Sequence, residues 1–209
     1  MKNYILLRHG HSAANASGRL TGQLPGVGLS PEGERQAKAL VDRIGGGAID
    51  FLHLSPIERC QLTIDPWLRS KHSRSLERME IVDGLTELDF GRWSGRKLTS
   101  LMKEPMWREV QSTPSKVKFP EGESFRQAQR RSVAAFEKIR ELPGSKTHLI
   151  VSHSDTIKLI LSHYLGQRLD DFQRIQISPA SFTLLRESKK EIHLVTFNNS
   201  SAVKEILAL

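Results

Sequence analysis

Short unbroken apolar runs alternate along this chain with longer stretches of helical period, the pattern of an α/β protein. Residues 3–8, NYILLR, are apolar up to a terminal charge and open onto His9-Gly10, as a buried strand emptying into a loop would. A polar, glycine-rich stretch follows to Leu29. Ser30-Pro31 then supplies an N-cap and a first-turn proline for a helix running to Ile44, which Gly45-Gly46-Gly47 ends. Residues 50–54 form a second strand. The sequence Ser55-Pro56-Ile57-Glu58 after it has the pattern of a capping box, opening a helix with Arg59 in its first turn. A third strand is expected at 75–82. From Phe125 the positions Phe125, Ala128, Val133, Phe136 and Ile139 keep near-helical spacing, predicting a helix over 124–142 that Pro143-Gly144 closes. Residues 147–152, THLIVS, are a fourth strand with His153 at its carboxyl end, before a helix from about residue 155 to 165 that Asp155 is expected to cap, in preference to orienting the site. Residues 181–186 and 192–197 are two further strands that extend the sheet. Between residues 83 and 123 glycines and prolines break up short helices, the character of a lid or specificity segment.

With 209 residues, 38% hydrophobic and 26% charged, the chain has the composition for one α/β domain over residues 1–209 and not for a disordered or fibrous protein. No apolar run approaches the length of a membrane span, and Arg8 and His9 come too early for a signal peptide. The single cysteine, Cys60, makes an intramolecular disulfide impossible and points to a reducing cytoplasm, with Cys60 itself a small buried residue. The net charge of +8 suits an anionic ligand. Neither basic cluster, 69–74 or 126–131, carries the aromatics or motifs of nucleic-acid recognition, so the expected partner is a small anion and not a nucleic acid or a membrane.

The chemistry gathers where strands end. His9 and His153 each stand directly beyond one, at the edge where ligands collect in open α/β sheets. Arg8 and Arg59 add planar donor forks suited to phosphoryl oxygens, and Gly10 permits close backbone approach. A neutral His9 imidazole held by a backbone carbonyl is a competent nucleophile toward phosphorus, with His153 a further donor in the transition state. Asn15, Thr21 and Gly22 sit in the following loop, within reach of the ligand's oxygens. Glu87 and Asp89 share one side of an extended segment, and either supplies a carboxyl for proton transfer, with Glu87 preferred. His53 and His148 read as structural strand histidines, while His72, His163 and His193 lack metal-ligand spacing. No nucleotide-binding glycine fingerprint occurs, so no ATP or NAD cofactor is implied.

Taken in order, these segments resemble the histidine phosphatase superfamily, the phosphoglycerate-mutase-like proteins. The resemblance rests on Arg8-His9-Gly10 continuing to Asn15, Arg19-Leu20-Thr21-Gly22, Leu29 to Gly33, Ser55 to Arg59 with Thr63, Leu85 to Gly95 around Glu87, Phe119 to Ser124, and Val151-Ser152-His153. It implies a three-layer α/β/α sandwich with a mostly parallel central sheet. It further implies His9 as the phosphorylated nucleophile, Arg8, Arg59 and His153 around the phosphate, Glu87 as proton donor, and Asn15, Thr21, Gly22 and the Ser154 backbone facing substrate. No metal or cofactor is implied, and a homodimer is a candidate assembly. His11 stands where glutamate, glutamine or alanine is usual, and Ser154 where glycine is usual; neither change removes a catalytic group, and both bear on specificity. The middle of the chain lacks the long insertion of the cofactor-dependent mutases. The leading expectation is therefore a metal-independent phosphomonoester hydrolase working through phosphohistidine. A phosphomutase is the second reading, and a regulatory phospho-ligand-binding protein without activity the third.

Overall fold

A computed structural model describes residues 1–209. The chain runs β1 (Lys2–Arg8), α1 (Ala13–Ala16), α2 (Pro31–Ile44), β2 (Phe51–Leu54), α3 (Glu58–Leu68), β3 (Arg78–Ile81), α4 (Leu98–Leu101), α5 (Trp107–Ser112), α6 (Phe125–Arg140), β4 (Thr147–Ser152), α7 (Ser154–Tyr164), β5 (Phe182–Ser188), β6 (Glu191–Asn199) and α8 (Val203–Leu207). The six strands form one sheet in the order β3-β2-β4-β1-β5-β6, parallel from β3 through β1 and antiparallel across β5 and β6. No helix is long and apolar enough to cross a membrane.

Alternation along the strands builds the layers. In β1, Ile5 and Leu7 face one side and meet α2, α3 and α8 through Leu40, Ile44, Ile64, Trp67 and Ile206. Tyr4 and Leu6 face the other and meet α6 and α7 through Phe136, Ile139, Ile157 and Ile160. This is the three-layer sandwich. A third cluster, including Leu88, Phe90, Trp93, Phe119 and Phe125, packs the segment between β3 and α6 over the ends of α6 and α7. Residues 83–123, expected to be irregular, hold only short helical pieces around this cluster.

Local signals set most element starts. The Ser30 hydroxyl accepts from the Gly33 N–H, as expected, and Ser124 makes a full capping box with Gln127 that the sequence reading did not single out. Ser55-Pro56-Ile57-Glu58 does not cap: α3 begins at Glu58, Ile57 is its N-cap without a side-chain bond, and the Ser55 hydroxyl is engaged elsewhere. Nor does Asp155 cap α7, which opens at Ser154 with His153 in the N-cap position. The sequence does not reveal strand direction at the end of the sheet. The link from β5 to β6 is Lys189-Lys190, both at positive φ, and so short a link allows only an antiparallel partner.

The topology creates the crevice. The chain leaves β1 for helices on one face of the sheet and leaves β4 for α7 on the other, although the two strands are parallel neighbours. A cleft therefore opens at their shared carboxyl ends, beyond Arg8 and Ser152.

Candidate active site

His9 is the first residue beyond β1, its backbone N–H donating to Ser152 O at 2.9 Å. The imidazole is 4% exposed. Its Nδ1 lies 2.7 Å from Gly10 O, and a carbonyl only accepts, so Nδ1 carries the hydrogen and Nε2 the lone pair. Arg59 Nε donates to that Nε2 at 3.2 Å, which requires the same tautomer. Burial, then the Arg59 and Arg8 charges, hold the His9 proton affinity well below its ordinary value, so the ring is neutral at neutral pH. The Gly10 N–H donates to Thr63 Oγ1 at 2.8 Å, and that hydroxyl donates to Arg59 O at 2.6 Å, fastening α3 to the residue after His9.

Arg59 is the hub. One Nη donates to Gly22 O at 2.8 Å and to His153 Nδ1 at 3.0 Å, while the other Nη is buried without a partner. Arg8 donates through Nη1 to Ile177 O at 2.5 Å, and its Nε is likewise buried and unpaired. Two guanidiniums with unfilled donors, both with proton affinity lowered chiefly by burial, leave positive charge for an anion to balance.

His153 is fully buried and stands behind Arg59, not on the cavity wall. Because Arg59 donates into Nδ1, the hydrogen is on Nε2, which donates to Ser55 Oγ at 2.8 Å. Both ring nitrogens are thus occupied, and the ring packs 5.2 Å from that of His9. Cys60 Sγ lies 3.4 Å from His153 Nε2, and burial pushes its thiol up to about 12. Cys60 is a buried, inert residue, as its setting in the sequence suggested.

Glu87 comes from the segment after β3 and is 8% exposed. Its Oε1 accepts from the N–H groups of Leu88 at 3.1 Å and Thr156 at 3.3 Å, whereas Oε2 has only the Asp155 N–H at 3.5 Å. The carboxyl thus faces the N-terminus of α7, and Oε2 is the oxygen left to carry a proton. Burial and then the Asp155 charge raise its proton affinity. Arg131 of α6 and Gln23 hold this segment by donating to Glu87 O at 3.4 and 2.8 Å. Asp89, the alternative, instead accepts from Gly91 N at 2.9 Å and does not line the cavity.

Around these groups is a cavity of about 170 Å³. Of the residues expected at the site, Arg8, His9, Asn15, Thr21, Gly22, Arg59, Glu87 and Ser154 line it. Asn15 Oδ1 accepts from the Ser12 N–H and hydroxyl, both at 3.0 Å, which leaves its amide NH₂ free. Gly22 has φ +54° and a Cβ there would lie 2.6 Å from Leu88 O, so only glycine lets this turn meet the Glu87 segment. His11, expected to bear on the pocket, turns away and bonds Ser30 Oγ at 2.8 Å. Sequence reasoning missed the apolar wall of Leu20, Phe90 and Leu98, which carries no period in an irregular segment, and it missed Thr156 beside Glu87. Backbone bonds from Leu20 to Arg96, Gly95 to Leu20 and Leu98 to Gly18 bring that segment over the loop after β1.

A doubly flanked α/β sheet with an oriented histidine and two unsatisfied arginines at its switch point is the framework of a phosphate-handling enzyme. The profile of the histidine phosphatase superfamily (branch 1) matches residues 4–200, and this chain belongs to that superfamily and is an enzyme of it. It is 28% identical over 200 residues to phosphoserine phosphatase 1 of Hydrogenobacter thermophilus, covering 95% of this chain and 92% of the relative. It is 32% identical over 170 residues to a probable phosphoglycerate mutase GpmB of Yersinia enterocolitica, covering 79% and 76%. The α-ribazole phosphatase of Shigella flexneri has the same fold, with a TM-score of 0.83 at 24% identity over 94% of this chain and 96% of that one. So does the phosphoserine phosphatase of Entamoeba histolytica in complex with 3-phosphoglyceric acid, at TM-score 0.82 and 22% identity over 96% and 98%.

Proposed function

We propose that the protein hydrolyses a small phosphomonoester through a phosphohistidine on His9, without a metal ion. The observation that carries this is the pair of bonds fixing the His9 tautomer, Nδ1–H to Gly10 O and Arg59 Nε–H to Nε2, which keeps the lone pair on Nε2 of a ring that lines the cavity. Phosphate binding draws Arg59 Nε from Nε2 to a phosphoryl oxygen, with the free donors of Arg8, Arg59 and Asn15 taking others. His9 Nε2 then forms a bond to phosphorus as the bond to the leaving oxygen breaks, and Glu87 passes its Oε2 proton to that oxygen. In the second half Glu87, now a carboxylate, takes a proton from water whose oxygen attacks phosphorus, and the N–P bond breaks to return neutral His9. His153 is a positioning residue here: it holds Arg59 and is held by Ser55. The positive charge and the proton donor are both supplied by side chains, so the scheme routes no step through a metal.

The whole chain acts as one domain, with residues 83–123 as the lid: Phe90 and Leu98 form its apolar wall over the cavity. A cavity of about 170 Å³ fits a phosphoryl group with a short organic remainder, which points to a small metabolite. A phosphomutase is the second reading, kept because of the likeness to the GpmB protein. It differs in the acceptor of the second half, substrate in place of water. Phosphate release by wild type and His9→Ala over a panel of small phosphomonoesters separates these readings, with 3-phosphoglycerate interconversion followed with and without 2,3-bisphosphoglycerate. We expect release that falls by about 10³-fold or more in His9→Ala. Isomer exchange with little release would replace the hydrolase reading by the mutase one.

A further inference from the structure

Asp155 is a second carboxylate, beside Glu87, on the wall of a cavity that also holds Arg8, Arg19 and Arg59, and neither helix capping nor the scheme above uses it. It lies in the first turn of α7, and its own N–H makes the 3.5 Å contact to Glu87 Oε2. Its Oδ1 accepts from Lys158 Nζ at 3.1 Å, and Lys158 is shared with Gln173 Oε1 at 3.3 Å and lies over the Phe172 ring at 5.5 Å. The pair is mostly buried, at 19% and 12% side-chain exposure, so water screens it little.

Glu87 must give a proton in one half of the reaction and take one in the other, so its affinity has to lie between extremes. Several groups pull it down. The Leu88 and Thr156 N–H groups and the N-terminus of α7 favour the carboxylate, as do Arg8 from β1 and Arg59 from α3. Arg131 from α6 also reaches the backbone of Glu87, but Glu123 pairs with it at 2.6 Å, while His9 and His153 are neutral. On the cavity wall, Asp155 opposes them with charge. Resting on the assignment of Glu87 as proton donor, we propose that Asp155 is a positioning residue that biases Glu87 toward its protonated form between turnovers, and that Lys158 limits how strongly it does so. Burial raises the Glu87 affinity too, and the Asp155 charge acts in the same direction.

The two partners should therefore shift Glu87 in opposite directions. The side-chain carboxyl ¹³C resonance of Glu87, assigned by its loss in Glu87→Gln, is titrated in full-length wild type, Asp155→Asn and Lys158→Met, and the alkaline limb of kcat is measured on an alkyl phosphate. We expect the midpoint to fall by about one pH unit in Asp155→Asn and to rise in Lys158→Met, with the kcat limb following. Unmoved midpoints in the folded variants would overturn the proposal, even if activity drops, because a merely structural role lowers activity without moving the titration. Should Asp155→Asn fail to fold, the direction of the Lys158→Met shift decides alone. Midpoints that move as expected in a protein releasing no phosphate would sink the hydrolase reading and leave the proposal standing.

Discussion

His9 and Glu87 respond in opposite ways to the same burial. Removing a group from water disfavours its charged form, so burial favours the neutral ring of His9 and the protonated form of Glu87, the forms a nucleophile and a general acid require. The expected kcat/KM profile is a bell. It falls at low pH as His9 takes up a proton, below its ordinary 6.5, and at high pH as Glu87 loses one, above its ordinary 4.5. A profile whose acid limb lies above that histidine value would contradict the neutral His9. Glu87→Gln should lose about 10²–10⁴-fold on alkyl phosphates, whose leaving oxygen needs a proton. Its first-turnover release of p-nitrophenol from p-nitrophenyl phosphate should be nearly intact, because that leaving group needs none. At this scale the sequence was informative for residues adjoining a strand end, such as Arg8 and His9. It was poor for His153, whose place in the chain announces a site but not that Ser55 and Arg59 would occupy both its nitrogens.

Element boundaries show when a local motif is decisive. Ser30 caps, as read from sequence, because the helix starts at Pro31 directly after it and its hydroxyl takes the Gly33 N–H even while it also bonds His11. Ser55 carries the same signature and fails, since its hydroxyl accepts from His153 as well as from the Ile57 N–H. The helix also starts too late for it, with Ile57 in the N-cap position. Replacing Ser30 by Ala should cost about 1 kcal/mol in urea unfolding. The Lys189-Lys190 turn is the opposite case. Both residues sit at positive φ, where glycine and asparagine are far better tolerated, and the turn geometry is one that Asn-Gly favours. The double change Lys189→Asn, Lys190→Gly should stabilise the protein by about 1 kcal/mol, and an unchanged or lower urea midpoint would show that the lysines contribute something the backbone does not reveal.

Across the whole molecule, the alternation of strands and helices was legible, while the strand order was not. Nothing local to residues 3–8 or 147–152 says that these segments are neighbours, yet that adjacency makes the cleft. The register also brings together two histidines remote in sequence. His53 Nδ1 lies 2.7 Å from Glu80 Oε1 and its Nε2 lies 2.9 Å from His148 Nδ1, inside the sheet. With His9 and His153 this makes four buried histidines, all with proton affinity lowered in the fold, His148 to about 3. The unfolded chain binds protons at these groups below their ordinary 6.5, which the folded chain resists, so their contribution is complete above 6.5 and drains away as pH falls toward about 3. Urea midpoints should decline from pH 6.5 to about 5, where most carboxylates are still ionised. A His53→Leu, His148→Leu double variant should flatten that slope, and a slope unchanged in it would place the acid sensitivity elsewhere.

Cys60 turns the core beneath the cleft into a reporter of its own opening. It is the only thiol in the chain and is fully sealed between α3 and the end of β4, against Ser152 O and His153. An alkylating reagent can reach it only when α3 parts from the sheet, so labelling kinetics under native conditions time that event without any introduced probe. A phosphate analogue that draws Arg59 and the cleft together should slow the labelling clock, which makes ligand engagement measurable even where no product is formed.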